Sequence, residues 1–528
     1  MLLARRLRAV ISATSTSSSE LFLQSVTVSI CAISTSSSTD VSGDTRSSRG
    51  GGGGGGSQTL GRRLLSLIYP KRSAVIALQK WAEEGKAIQK YQLNRVVREL
   101  RKHKRFKHAL EICEWMRTQP DIKLLPGDYA VHLDLISKVR GLSSAEKFFE
   151  DLPDRMKAQS TCTALLHVYA QNKLSTKAEY LMKEMASHGF LTCCFPYNHM
   201  LTLYVSTGKL EKVPEVIKEL KKNTKPNEFT YNLWLSACAD KIDVKGAEEA
   251  ILDMSRYKLT GDCITFSTLA CIYIKAGHTM KAREALEKME RRISRKDRAS
   301  YCSLISMYTS LSDKENAQRI WSKMKSMFRK MSDEEYKCIL ISLLKLNLVD
   351  ESEAIYSEWE SVSGTGDSRV SNVLLAYYTK NDMNKAEKLH DRATKAGIKP
   401  SYSSWENLAS GYLRLKRMDK VLNCLKEAFS SVNKWEPNTE FVRDVLKGFE
   451  NAGDTEGAEK FLVLLRDAGY VKTEIYNSLL RTYAKAHKMP LIIAERMKKD
   501  HVAMDEETKR LLSLTRKFCV GSAESLIS

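Results

Sequence analysis

Proline is scarce, with 10 in 528 residues. Alternating runs of Val, Ile and Thr are scarcer still, and after Leu64 apolar residues recur at helical spacing. That excludes a strand-rich class and predicts an all-α chain. No run of 18 apolar residues occurs. The stretch LFLQSVTVSICAIS from Leu21 is short and broken by Ser and Thr, so no membrane span is expected. The 12 cysteines stand singly apart from Cys193 and Cys194, with no CxxC pair and no Cys/His group at zinc-ligand spacing. They read as small buried apolar residues in a reducing compartment. The ten histidines are isolated along the chain, and GSAES at Gly521 lacks the second glycine of a nucleophile elbow. No metal, no cofactor, no small-molecule substrate and no catalytic centre are expected. Carboxylates such as Glu248 and Glu249 read as part of a polar, solvated helix face.

Acidic residues are also few relative to basic ones: 63 Asp and Glu against 84 Lys and Arg, a formal charge of +21. Only +2 of this falls within residues 1–57. The remainder points to a polyanionic partner, nucleic acid first and an anionic membrane surface second.

Residues 1–57 differ from the rest. Arg5, Arg6 and Arg8 stand among Leu2, Leu3, Leu7, Val10 and Ile11, which as a helix gives a basic face beside an apolar one. Fifteen serines follow from Ser12 to Ser57, and no lysine precedes Lys71. This composition predicts an organellar transit peptide, with the early arginines favouring the mitochondrion over the chloroplast. Gly50–Gly56 predict a flexible linker.

Beyond that leader the chain repeats. Tyr197, Tyr231, Phe266, Tyr301 and Tyr336 are separated by 34, 35, 35 and 35 residues. A second anchor keeps the same step: Ala247, Ala282 and Ala317, with Ala109, Ala145, Ala178 and Ala458 continuing it outward. Each unit reads as two helices joined near a Gly or Asn, the second carrying the alanine, a Leu or Ile, and a methionine. Pro226, Pro400 and Pro437 punctuate unit ends. One such pair cannot bury its apolar stripe alone, so neighbours must stack. The expected fold is a right-handed superhelical solenoid of about twelve helix-turn-helix units. They begin at Lys90, Pro126, Gln159, Cys194, Glu228, Cys263, Arg298, Asp333, Ser368, Tyr402, Thr439 and Thr473. Residues 58–89 form a helical leader, 90–504 the array, and 505–528 a capping helix and tail. The thirteenth residue of a unit is basic in seven cases: Lys102, Lys138, Lys275, Lys345, Lys380, Arg414 and Lys485. Stacking would line these up as a phosphate-binding stripe. RELRKHKRFKH from Arg98 to His108 is denser still and reads as an end-of-array phosphate clamp or an exposed face.

The 35-residue step, openings such as FTYNL, the mid-unit Ala-Glu, the terminal methionine and KPN or KPS closes resemble pentatricopeptide repeats, over roughly Lys90 to Met504. They are similar to the plant organellar subgroup with plain 35-residue units. The resemblance implies organellar RNA binding, one base per unit read by its fifth and last residues, with the second residue packing on base faces. Carried over, the reading pairs are Asn198/Asn227, Asn232/Asp262, Ser267/Asp297 and Asn372/Ser401, with Phe195, Phe229 and Ile264 as stacking residues. Asn94/Leu125 and Asn477/Met504 keep only the first half of the pattern, and the remaining units depart from it. Arg369 replaces an apolar stacker beside Asn372. By itself an Asn near a helix start caps or bonds locally.

Three functions follow as expectations. The first is an organellar, mitochondrial RNA-binding adaptor that acts by passive occupancy in transcript stability, processing or translation. The second is a component of the mitochondrial ribosome, contacting ribosomal RNA and ribosomal proteins. The third is a protein-interaction scaffold.

Overall fold

The computed structural model describes residues 59–66, 73–362, 366–432 and 438–524. The expected transit peptide, the glycine linker and Pro437 lie outside them. Among the described residues there are 27 α-helices, two short 3-10 turns and no strand. No helix there is long and apolar enough to cross a membrane. The chain forms two compact units, one ending at Leu311 and one beginning at Ser312.

In the first unit α1 (Leu60–Leu65) and α2 (Ala74–Glu83) precede six hairpins and the first helix of a seventh. The helices are α3 (Lys90–Lys102), α4 (Phe106–Thr118), α5 (Pro126–Val139), α6 (Leu142–Glu150), α7 (Gln159–Gln171), α8 (Ser175–Ser187), α9 (Cys194–Thr207), α10 (Val213–Asn223), α11 (Glu228–Lys241), α12 (Val244–Arg256), α13 (Cys263–Lys275), α14 (Thr279–Glu290) and α15 (Arg298–Ser310). The second unit holds α16 (Lys314–Met327), α17 (Asp333–Lys345), α18 (Val349–Val362), α19 (Ser368–Asn381), α20 (Met383–Lys395), α21 (Tyr402–Arg414), α22 (Met418–Ser430), α23 (Thr439–Ala452), α24 (Thr455–Asp467), α25 (Thr473–Lys485), α26 (Ile493–Lys499) and α27 (Glu506–Glu524). The twelve first helices start at the residues that the period gives as unit starts.

Both sequence anchors are interior. Tyr197, Tyr231, Tyr301 and Tyr336 are 3% exposed or less, and Ala109, Ala145, Ala178, Ala247, Ala282 and Ala317 are fully buried. A larger side chain at the alanine would hold the paired helices apart. Met116, Met185, Met254, Met289, Met324 and Met497 close the second helices, each 2% exposed or less. They are packing residues, as the periodicity expects.

Two polar ties recur. The carboxylate after the buried alanine reaches into the next hairpin. Glu179 on α8 accepts from Tyr204 Oη (3.0 Å) on α9 and from Lys212 Nζ (2.7 Å) at the start of α10. Glu248 accepts from Tyr273 (3.3 Å) and Lys281 (2.6 Å), and Glu387 from Tyr412 (2.6 Å) and Lys420 (2.8 Å). Glu353, which follows the buried Ser352 in place of an alanine, pairs with Tyr378 and Lys385, and Glu459 with Tyr483 and Arg496. Glu248 is therefore an inter-hairpin tie and not a freely solvated carboxylate. The second tie lies inside a unit. Tyr231 donates to Asp253 (2.7 Å), Tyr336 to Glu358 (3.1 Å) and Tyr476 to Asp500 (2.6 Å). Each acid also meets a cation of the preceding second helix: Lys221, Lys325 and Arg466.

Between the two helices of most units, the fifteenth residue takes a left-handed backbone, Arg140 and Asp382 being exceptions. Glycine meets this at Gly208, Gly277 and Gly453 (φ 74°, 78° and 65°). Lys173, Asn347 and Lys416 adopt it as well, and so does the β-branched Ile242 at φ 54°. The terminal helices α1, α2 and α27 cover array ends, burying Leu60, Leu64, Leu78 and Trp81 at one and Thr508, Leu511 and Thr515 at the other.

Candidate nucleic-acid interface

The fifth residue of a unit lies one turn inside its first helix, and the N-cap of the next first helix comes to rest against it. At Asn232, on α11, this builds a closed polar group. Asn232 Nδ2 donates to the Asp262 carboxylate (3.3 and 3.4 Å), and Asn232 Oδ1 accepts from Thr265 Oγ1 (2.7 Å). Asp262 in turn caps α13, accepting from Thr265 N at 2.8 Å, and Thr265 Oγ1 accepts from Asp262 N at 3.1 Å. That is a capping box, with both partners satisfied. Asn198 repeats the arrangement with Asn227 (3.2 Å) and Thr230 (2.7 Å). Asn198 itself is only 3% exposed, whereas Asn227 and Asn232 are half-buried.

The third expected pair does not close. Ser267 gives its hydroxyl to the Ile264 carbonyl of its own helix (3.1 Å), while Asp297 caps α15 through Ser300. A serine is too short to bridge the gap that an asparagine spans. In the second unit Asn372 Nδ2 donates to Ser401 Oγ (3.1 Å), which lies 3.1 Å from Ser404 Oγ.

Two units that keep half of the pattern in sequence have full partners in space. Asn477 Nδ2 donates to both oxygens of Asp505 (3.1 and 3.0 Å), and Asn477 Oδ1 accepts from Thr508 Oγ1 (2.6 Å). The partner is the N-cap residue of α27, one position beyond Met504. Asn94 meets Asp128, three residues past Leu125, at 3.1 Å. Asp128 also accepts from the Leu125 amide (2.8 Å) and from Lys90 (2.6 Å). The signal for both was present as D-x-x-T at Asp505 and as an acid at the third helical position.

Phe195 is 44% exposed, and Phe229 and Ile264 are partly exposed, on three successive first helices of the first unit. In the second unit the same position carries Glu334, Arg369, Ser403, Glu440 and Glu474. Arg369 is clamped by Asp367 (2.6 Å) and Glu334 (2.7 Å), so it is not a free stacking surface.

All seven basic residues at position thirteen are exposed. Lys102, Lys275, Lys380 and Lys485 form no salt bridge among the described residues. Lys138 is paired with Asp134 at 2.8 Å, and Arg414 donates to the Thr379 carbonyl at 2.7 Å, so their charge or geometry is already engaged. The basic run at Arg98 is divided likewise. Arg101 joins Asp134 (2.8 Å) and Arg105 donates to the Leu65 carbonyl (2.7 Å), leaving Lys102 outward.

Next to that acid, His167 and His199 meet Nδ1 to Nδ1 at 3.3 Å, and Gln171 lies 2.7 Å from His167 Nε2. Burial lowers both imidazoles, His199 to about 3. His132, packed on Phe148, is held down to about 4 by burial and by Arg117 and Arg140. Burial pushes the thiols of Cys113, Cys238 and Cys424 up to about 12, so none is a nucleophile near neutrality.

Comparison with known proteins adds the following. The family model described as "Pentatricopeptide repeat domain" matches residues 181–241, and that described as "PPR repeat" matches 160–190, 264–292 and 299–327. A pentatricopeptide repeat-containing protein of Arabidopsis thaliana, named as mitochondrial, is 53% identical over 89% of this chain and 88% of its own length. A second Arabidopsis protein with that family name is 35% identical over 82% of this chain and 90% of its own. Among solved structures, maize PPR10 is similar at a TM-score of 0.44 with 19% identity, covering 89% of this chain and 77% of that one.

Proposed function

The chain belongs to the pentatricopeptide repeat family, and from that premise we propose that it is an RNA-binding adaptor of the mitochondrion. It holds single-stranded RNA by passive occupancy in transcript stability, processing or translation. One observation carries the reading. The amides of Asn198, Asn232 and Asn477 are each held by an N-cap side chain and a hydroxyl, and in the first unit Phe195 and Phe229 lie on the same helices as Asn198 and Asn232, with Ile264 at the same position of the next first helix. An amide edge offers a donor and an acceptor to a Watson–Crick edge, and the apolar side chain stacks on the base face. Asn232/Asp262 and the half-buried Asn227 are the readers we assign first, followed by Asn372/Ser401; Asn477, like Asn198, is only 3% exposed, so in that unit the exposed Asp505 is the accessible member. Exposed Lys102, Lys275, Lys380 and Lys485 supply phosphate contacts. Mitochondrial placement is supported by the arginine- and serine-rich residues 1–57 and by the name of the 53%-identical relative.

The test is binding of the full chain to a generic single-stranded RNA across a salt series. Micromolar or tighter binding at low salt, weakening steadily with added salt, is expected. No binding at low salt overturns the proposal and favours a protein scaffold. The acidic and ion-paired second positions of the other unit favour a second reading, a ribosome component using backbone contacts with little base selection. Co-sedimentation of the native protein with ribosomal subunits distinguishes it from a free adaptor.

A further inference from the structure

We propose that the hydroxyl three residues past the N-cap, Thr265 and its equivalents Thr230 and Thr508, is a positioning residue. It anchors the oxygen end of the reading amide, whose nitrogen end the cap residue holds, and so fixes the edge that faces the ligand. This rests on the base-reading function proposed above, and extends it to residues that touch no base.

The argument begins with what a carboxylate can do. Asp262 and Asp505 only accept, so the amide group facing them must be Nδ2 of Asn232 and Asn477. Their Oδ1 atoms then point to the threonine hydroxyl, at 2.7 and 2.6 Å. The asparagine oxygen has no hydrogen to give, so the threonine donates, its one hydroxyl hydrogen lying between the nearer asparagine oxygen and the cap carboxylate at 2.9 Å (Asp262) or 2.7 Å (Asp505). The threonine oxygen is itself oriented because it accepts from the backbone N–H of the cap residue (3.1 Å at Asp262, 3.3 Å at Asp505). Each amide is thus pinned at both ends. One remaining N–H and one remaining oxygen lone pair, in a fixed order, are left for a base. At Asn198 the cap is an amide, but Asn227 Oδ1 accepts from Thr230 N (2.9 Å) and so presents its oxygen inward, giving the same result.

Asn94 supplies the contrast. Position three of the next helix is Asp128, a carboxylate, and it draws Asn94 Nδ2 to itself at 3.1 Å. There the amide is turned end for end relative to Asn232, so the donor is drawn to the position that the hydroxyl occupies elsewhere. The cap there is Leu125, which offers no side-chain acceptor, so the cap residue and the residue at position three together select the order of donor and acceptor. Without the hydroxyl, Asn232 keeps its tie to Asp262 but loses the one that anchors Oδ1, so the amide can swing about that tie, and discrimination at one base falls while stacking and phosphate contacts persist.

The experiment uses the full chain and a pool of single-stranded RNA 20-mers with random sequence, sequencing the bound fraction. Four proteins are compared: wild type, Asn232→Ala, Thr265→Val and Thr265→Ser. Valine keeps the shape and removes the hydroxyl, and serine restores it. The expected result is one register whose base preference is lost in Asn232→Ala, falls about fivefold in Thr265→Val, within the worth of one base contact, and returns in Thr265→Ser. Total RNA retention by Thr265→Val stays near wild type. Wild-type preference kept intact by Thr265→Val overturns the proposal alone. An equal loss at every register overturns it too, since that is the signature of a damaged fold. A wild-type pool with no preferred base at any register overturns the base-reading function itself, and this inference with it.

Discussion

Ile242 shows how much a single residue can give away. It occupies the left-handed turn position that is glycine at 208, 277 and 453, and it does so as a β-branched residue with its side chain 47% exposed. Such a residue stores on the order of 1 kcal/mol of backbone strain. Ile242→Gly is therefore expected to raise stability by about 1 kcal/mol, read as a rise in melting temperature. The histidine pair gives a pH dependence. Because folding lowers the His199 pKa, the unfolded chain takes up the proton first as pH falls below about 6.5, and stability is lost from there downward. His167, Asp134, Lys138 and Arg101 are the charged neighbours, and the two cations oppose a second positive charge. Between pH 7 and pH 5 the loss at the largely buried His199 is expected to be about 1 kcal/mol. A wild-type melting temperature that falls over this range no further than that of His199→Gln would refute it. At this scale the sequence was legible only in part. The asparagines stood at their period, but Asp505 and Asp128 as their partners did not, because the unit ends read from the sequence fall on Met504 and Leu125. The cap is chosen by where a helix starts in space, and that depends on local turns of variable length.

At the scale of helices, the anchors were readable because one physical requirement recurs in every unit. A small residue must sit where two helices cross, and an aromatic must fill the space beside it. Ala282, fully buried between α13 and α14, is expected to reject growth. Ala282→Leu should cost about 1–3 kcal/mol, while Ala282→Ser costs less, measured by chemical denaturation. The polar ties were not readable in the same way. Glu248 follows the alanine in sequence, yet its partners Tyr273 and Lys281 are 25 and 33 residues away, in the next unit. A carboxylate on a helix face looks solvated until stacking brings a phenol to it. Lys281 and Tyr273 hold the Glu248 carboxyl below its ordinary range. Stability from these ties is therefore present above the ordinary glutamate pKa near 4.3 and is lost as acid protonates the carboxylates.

For the molecule as a whole, charge sets what can be measured without knowing any target. The class, the helical pairing and the unit starts followed from periodicity, since stacking repeats one interface many times. Net charge of +21 likewise survives any error in register. What charge alone cannot say is which cations are free, because Lys138 and Arg414 are spent on Asp134 and a carbonyl only once the helices are placed. That division yields a test. On single strands, log affinity falls with log salt by about 0.7 per phosphate contact. Replacing Lys102, Lys275, Lys380 and Lys485 together with Gln should weaken binding to generic single-stranded RNA and make the salt slope shallower by roughly 3. Replacing Lys138 and Arg414 instead should change the slope by less than half of the shift per residue, since their charge or geometry is already committed. Equal slopes for the two variant sets would mean that the phosphate path does not run along the ends of the first helices.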